Sequence, residues 1–338
     1  MFRFRSTYLV GGFFILFAAG LGGCCTCDYA THGDGEGEAV KGKWEKKDDG
    51  EPRVRLLNHI QFDAGYLKSV SRYDADGNKQ EFGNDQSETA SYFQLTYRRP
   101  ITRIELGGKS FTLGGLVRAD YATKKREMAY GGMSTEQSGS GFRSASLEAS
   151  FGSRHLFESR TGGRIIVGYD WNFAKEPDQN DPEALDYSSR QSAFYVGTVW
   201  DYWCHRWGLF LDGFYNFTTE LDENGYTYDG GDYAGVSVGG KYRIRVSEGV
   251  SISPRVAVNY VVRTDTKSNG TALDNSGGYI LGIEPSLLFN FRGTGLSAAV
   301  SYGYTDEFRG TKVGGINVAG KNFNKADLNG TLSIAYRF

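Results

Sequence analysis

Hydrophobic and polar residues alternate with a period of two along most of this chain. The last stretch is the clearest. Leu328, Gly330, Leu332, Ile334, Tyr336 and Phe338 fall on one parity, and Asn329, Thr331, Ser333, Ala335 and Arg337 on the other. A period of two sends alternate side chains to opposite faces of a strand, so this segment is a strand with one apolar face. The rhythm recurs upstream. Tyr279, Leu281, Ile283, Leu287, Phe289 and Phe291 oppose Gly282, Glu284, Ser286 and Asn290, and Val250, Ile252, Val256, Val258, Tyr260 and Val262 oppose Ser251, Arg255, Asn259 and Arg263. The pattern predicts strands at about 53–73, 87–106, 109–123, 142–153, 163–175, 189–203, 207–220, 232–246, 249–265, 277–291, 295–307 and 324–338. Most exceed the roughly 9–11 residues that a tilted strand needs to cross a bilayer and the roughly 5–6 common in soluble sheets. Two strands are less regular: Asn58 falls on the apolar parity of the first, and Arg98-Arg99-Pro100 marks a bulge or strand end in the second.

The gaps between these strands alternate in size. Short ones fall at Gly107-Gly108, His205-Arg206, Ser247-Glu248 and Arg292-Gly293-Thr294, with a somewhat longer one at 154–162. Long ones cover about 74–86, 124–141, 176–188, 221–231, 266–276 and 308–323. An even number of long amphipathic strands, with short turns at one end and long loops at the other, predicts an all-β fold. It is a single transmembrane antiparallel up-and-down β-barrel of about 12 strands, with short periplasmic turns and long extracellular loops. The closing Tyr336-Arg337-Phe338 resembles the C-terminal aromatic signature of bacterial outer-membrane β-barrels. That resemblance implies residence in a Gram-negative outer membrane, contact with its lipid and lipopolysaccharide, and insertion by the barrel-assembly machinery. Tyr336 and Phe338 would be the assembly signal.

Composition fits this architecture. The chain has 338 residues with 47 Gly, 22 Tyr and 22 Phe against 6 Pro and 3 Met, which suits many twisted strands and aromatic belts better than helices. Aromatics gather near strand ends: Trp200, Tyr202, Trp203, Trp207, Tyr242 and Phe338 on the turn side, and Tyr121, Trp171, Phe173, Phe217 and Tyr304 on the loop side. A formal net charge of −2 and the lack of a basic block interleaved with aromatics argue against a nucleic-acid partner.

The N-terminus follows different rules. Arg3 and Arg5 precede an apolar run from Tyr8 to Gly23, too short to span a bilayer as a helix. Residues 1–23 therefore read as a signal peptide. Leu21-Gly22-Gly23-Cys24 resembles the lipobox of bacterial lipoproteins, which implies lipidation at Cys24; the alternative is ordinary cleavage near Ala18-Ala19-Gly20. Residues 24–52 are rich in Gly and charge and read as a solvated periplasmic tether, leaving 53–338 as the barrel. A segment of this kind could also tuck into the lumen as a plug. Cys25 and Cys27 with His32 lack the second pair that a tetrahedral zinc site needs.

Candidate chemistry lies on the inward parity. Lys241, Arg243 and Arg245 share one face of the eighth strand, with Arg255 beside them on the ninth. Asp201, Asp212, Glu148, Asp170 and Glu284 supply the opposite sign. A basic ladder facing acids across a narrow lumen resembles the transverse field of porin constrictions, and these nine residues are the predicted pore lining. A charge network that simply fills the interior would read the same way. The inward charges nearly cancel, so weak ion selectivity is expected.

Catalysis has less support. No His is followed two residues later by Ser, the only adjacent Asp pair, Asp48-Asp49, lies in the tether, and His59 near Asp63 is the one candidate couple. Asp74-Ala75-Asp76-Gly77-Asn78 begins like a calcium loop, but Lys79 and Asp85 occupy the places that need Gly and Glu. The loop acids Asp178, Asp181 and Asp186 could hold ions that bridge lipopolysaccharide. No metal or cofactor is expected. The first functional expectation is a narrow passive channel for small hydrophilic or charged solutes. The second is a closed structural or surface-interaction barrel, plugged by its tether, and the third an outer-membrane enzyme.

Overall fold

Twelve long strands form one closed antiparallel barrel. In chain order they are β1 (His59–Tyr73), β2 (Ser87–Leu106), β3 (Lys109–Tyr130), β4 (Met133–Phe157), β5 (Thr161–Asn172) and β6 (Ala193–Cys204). There follow β7 (Trp207–Thr218), β8 (Tyr233–Tyr242), β9 (Val250–Arg263), β10 (Gly278–Phe291), β11 (Leu296–Arg309) and β12 (Lys325–Arg337). Each pairs with its neighbours in sequence. β12 also pairs with β1, from Arg337↔His59 to Lys325↔Arg72, and this closes the cylinder. At the seam Asn58 and Phe338 exchange two backbone hydrogen bonds of 2.8 and 3.1 Å. Closure leaves no strand edge to satisfy, which is what a sheet surrounded by lipid requires. The computed structural model describes residues 57–73, 79–81, 87–130, 133–157, 161–177, 181, 183–188, 190–223, 225–272, 277–309 and 325–338, with the short pieces 45–46, 52–53, 312–313 and 316–317. The signal peptide, Cys24, the other N-terminal cysteines and nearly all of the tether lie outside the described residues. Among the described residues there is no helix.

Side-chain alternation sorts the barrel into a wet and a dry face. On β9, Val256, Val258, Tyr260 and Val262 are 42–48% exposed, whereas Ser253, Arg255, Ala257, Asn259, Val261 and Arg263 between them are buried. The inversion, apolar side chains outside and polar ones inside, holds around the barrel. An apolar exterior on this scale far exceeds what a soluble monomer presents. Tyr336 and Phe338 lie on this exterior with rings stacked at 6.0 Å.

Several expectations need correction. Residues 124–141 are not a loop: β3 and β4 continue as a paired ribbon from Thr123↔Ser140 to Tyr130↔Met133. Alternation stops there because a ribbon in water has no dry face to mark it. The first strand begins at His59, so Asn58 precedes it and carries no facing requirement. Pro100 does mark a bulge, with Ile101 as the extra residue opposite Gly114 and Leu113. Trp203 does not join the outer aromatic belt. It shares the inward parity of Asp201, and only its neighbour Tyr202 is exposed.

The short turns carry the expected backbone chemistry. Gly107 and Gly108 have φ of 58° and 74°, the left-handed values that a tight two-residue hairpin demands. His205 adopts φ 57° in the same role, at a steric cost that Gly would avoid.

Candidate functional site

The interior is lined by two different half-walls. The first is a polar girdle on β12 and β1–β5. It follows the sheet register: Ser333 pairs with Asp63, Asp63 with Gln94, Gln94 with Asp120, Asp120 with Ser144, and Ser144 with Asn172. Asp63 accepts a hydrogen bond from Ser333 and two from Gln61 Nε2, at 2.8 and 2.9 Å. Asp120 accepts from Gln94 at 2.6 Å and from Ser144 at 2.9 Å. It also pairs with Arg143 at 3.3 Å, both side chains being 1% exposed, and lies 3.8 Å from Arg118. Arg118 Nε donates to Ser146, and Ser146 donates to Asp170 at 2.7 Å. Tyr195 donates to Glu148 at 3.2 Å, and Arg98 is 4.0 Å from the same carboxylate. Buried carboxylates are tolerable only with such partners.

Arg143 reaches this girdle through a bulge. The register jumps from Asp120↔Ser144 to Tyr121↔Phe142, leaving Arg143 as the extra residue on β4. Simple alternation would place Arg143 in lipid beside Leu147 and Ala149. The bulge turns two consecutive residues, Arg143 and Ser144, inward onto Asp120.

The second half-wall, on β6–β10, is basic and aromatic. Lys241 forms an ion pair with Asp201, with both side chains buried. Lys241 Nζ and the Arg243 guanidinium sit 4.3 and 4.4 Å from the Trp203 ring. Arg255 lies 4.0 Å from the Phe210 ring and 3.9 Å from Glu284. Cation–aromatic contacts of this kind are strongest where water is excluded.

Toward the loop end an apolar layer crosses the lumen. Leu67, Ala90, Tyr92, Ala122, Tyr187, Tyr233, Val261 and Ile280 form one buried cluster, with Phe214 packed against it. Tyr187 comes from the connection between β5 and β6, which folds inward. Ser138 donates to the Glu183 carbonyl, and the Leu185 amide donates to Ser138, at 2.8 and 3.0 Å. Glycine permits the approach: a Cβ on Gly139 or Gly141 would overlap Leu185 or Tyr187. The same device recurs along the wall, with Tyr92 lying over Gly65, Tyr195 over Gly168, Phe214 over Gly235 and Phe210 over Gly239.

The predicted lining is therefore distributed. Lys241 meets Asp201 and Arg255 meets Glu284 on one wall, while Glu148 and Asp170 belong to the girdle opposite. Asp212 is buried on the inward face of β7. Arg243 is half-buried against Trp203. Arg245 is a correction: it lies exposed at the turn-side rim, because pairing with β7 ends at Trp207↔Tyr242 and Ile244–Arg245 continues beyond it against β9 alone. Sequence reasoning passed over Asp120, Gln94, Arg143 and Tyr187, and set Trp203 in the outer aromatic belt instead of the lumen. Inward parity on β2 and β3 could have found Gln94 and Asp120, but the residues around Arg143 do not announce its bulge as Pro100 announces its own, and nothing local announces the inward fold of a connection. His59 is buried on the inward face, with Gln61 between it and Asp63. Asp186 of the β5–β6 connection lies 3.7 Å from Arg190. Among the described residues no cluster of three or more His, Cys, Asp or Glu could hold a metal ion.

No family model and no curated protein matches this sequence. Solved structures do match the fold. An outer-membrane channel from Pseudomonas putida F1 is similar over 86% of this chain and 99% of its own, at 14% identity and a TM-score of 0.57. The β domain of the Bordetella autotransporter BrkA covers 84% of this chain and 100% of its own, at 10% identity and a TM-score of 0.47. The NanC porin covers 82% and 100%, at 9% identity and a TM-score of 0.41. The likeness to the Pseudomonas putida channel speaks for the fold, a closed outer-membrane type of β-barrel.

Proposed function

We propose that this chain is an integral outer-membrane β-barrel that passes small hydrophilic or charged solutes along its polar interior, and that the conformation described is its shut state. One observation carries this reading: the charged lattice that lines both half-walls. A barrel needed only as a structural body would be filled more stably by apolar side chains than by buried ion pairs. Retained charge on opposing walls instead suits hydrated, dipolar cargo. Inward acids and bases nearly balance, so selectivity between small cations and anions would be weak. The apolar exterior supports the membrane address. Short turns would face the periplasm, which puts the N-terminus on that side with residues 1–23 as a cleaved signal and Cys24 as the lipid-bearing residue. Tyr336 and Phe338 would be read by the assembly machinery, and the outer loops would meet lipopolysaccharide.

A second reading, a permanently closed barrel that presents its loops to partners, is favoured by the apolar layer around Tyr187. Planar-bilayer recording separates the two. Steady current steps from the full chain, larger in Tyr187→Ala, support the channel. Silence of the full chain, of Tyr187→Ala and of the same variant without residues 28–52 would leave only the closed barrel. Recovery of the mature protein in aqueous fractions without detergent would sink both.

A further inference from the structure

One part of the layer that occludes the lumen does not belong to the barrel wall. Every buried member of that cluster except Tyr187 stands on one of the twelve strands. A wall strand is bonded to a neighbour on each side, so it cannot withdraw without opening the cylinder. A connection can leave with the cylinder intact, because local opening breaks only its own contacts.

The described residues 183–188 and 190–192 of the β5–β6 connection are held differently at their two ends. At the far end, Ser138 of the β3–β4 ribbon donates its amide to the Glu183 carbonyl at 2.8 Å and accepts from the Leu185 amide at 3.0 Å, so that this stretch runs parallel to β4. Ser138 lies beyond the last β4–β5 pair, Ser144↔Asn172, and the latch is therefore outside the wall. At the near end, next to β6, Gln191 Nε2 donates to the carbonyls of Thr219 and Tyr228 at 3.0 and 3.3 Å, and the Thr219 amide donates to the Ser192 carbonyl at 2.8 Å. Between the ends, Ser188 accepts from Asn172 Nδ2 at 2.8 Å. Arg190 turns the chain with φ 59°, a left-handed value that a residue with a Cβ adopts at a steric cost. Its guanidinium lies 3.7 Å from Asp186 and 3.9 Å from Glu176, across the bend.

We infer that residues 183–188 are a latched strap: release of 183–185 from Ser138 swings Tyr187 out of the lumen about Arg190, while the twelve-strand ladder stays whole. The strap is anchored beside β6, latched on the ribbon, and carries the occluding ring between the two. Passage is thereby controlled from a part of the ribbon that lines no part of the lumen. This consequence rests on the channel reading and deepens it; release of the strap does not depend on conduction.

The test is hydrogen exchange of the full chain in detergent micelles, read amide by amide by NMR. The two latch amides, Ser138 and Leu185, should open together, about a hundredfold more readily than the Leu147 amide of β4, which is paired on both sides and opens only with the wall. Gly139→Ala sets a Cβ into the Leu185 carbonyl and should speed exchange at both latch amides about tenfold, with Leu147 unmoved. Arg190→Ala, which loses the contacts across the bend, should speed it about threefold. Ser140→Ala, at the exposed neighbour of Gly139, should change nothing. Exchange at Leu185 as slow as at Leu147 overturns the inference, and so does exchange that Gly139→Ala and Arg190→Ala both leave unchanged. In planar bilayers the same two variants should raise the fraction of time the channel is open. Current that flows but ignores both also overturns the inference. Silence of every variant, beside latch amides that open as expected, sinks the channel reading alone.

Discussion

Replacing Arg143 with Leu tests the architecture of the interior through the sign of its effect. In the barrel described, the bulge turns Arg143 onto Asp120 at 3.3 Å, with both side chains 1% exposed. The substitution leaves Asp120 its bonds from Gln94 and Ser144, at 2.6 and 2.9 Å, and Arg118 at 3.8 Å. Breaking a buried pair usually costs about 3–5 kcal/mol, and the surviving partners place this one near the lower limit, at about 3 kcal/mol. Were β4 regular instead, Arg143 would face lipid, and Arg→Leu would stabilise the barrel by about 2–4 kcal/mol. The two geometries differ in direction as well as size. Reversible denaturant unfolding in lipid vesicles, followed by tryptophan fluorescence, measures the change. A second variant, Asp120→Asn, and the double variant complete a cycle, in which a coupling of about 2 kcal/mol is expected for groups in direct contact. A neutral or stabilising Arg143→Leu, or additivity in the cycle, would refute the bulge as the source of the buried pair.

Further expectations concern other parts of the wall. Gly65→Ala sets a Cβ into the Tyr92 ring and dislodges its 3.0 Å bond to Thr331, at a cost of about 1–3 kcal/mol in the same unfolding assay. Gly240→Ala, whose Cβ would meet nothing nearer than 3.9 Å, serves as the tolerated control. Val258→Arg on the exterior of β9 should destabilise the barrel by about 2–4 kcal/mol if lipid surrounds it; a change within about 0.5 kcal/mol would indicate water there instead. Lys241→Met takes the cation from Asp201 and should cost about 3 kcal/mol, much of it recovered in Lys241→Met/Asp201→Leu, where no buried charge remains at the pair.

The parity of residues along each strand was written in the sequence, and with it the strand count, the loop asymmetry and the inward side of Lys241, Asp201, Asp212, Arg255, Glu148 and Asp170. Lipid enforces that record: each outward position between the interfaces must be apolar, so the two-residue rhythm survives wherever a strand meets the membrane. The record fades where lipid ends, which is why the ribbon at 124–141 looked like a loop. Which inward charges meet was decided only by closure, which brings β12 beside β1 and sets Ser333 against Asp63. It took the bulge to turn Arg143 inward and the β5–β6 connection to carry Tyr187 across the lumen. Local composition reports which face a residue occupies. Partners across a cylinder are chosen by register, stagger and the path of the connections, and these are properties of the closed sheet as a whole.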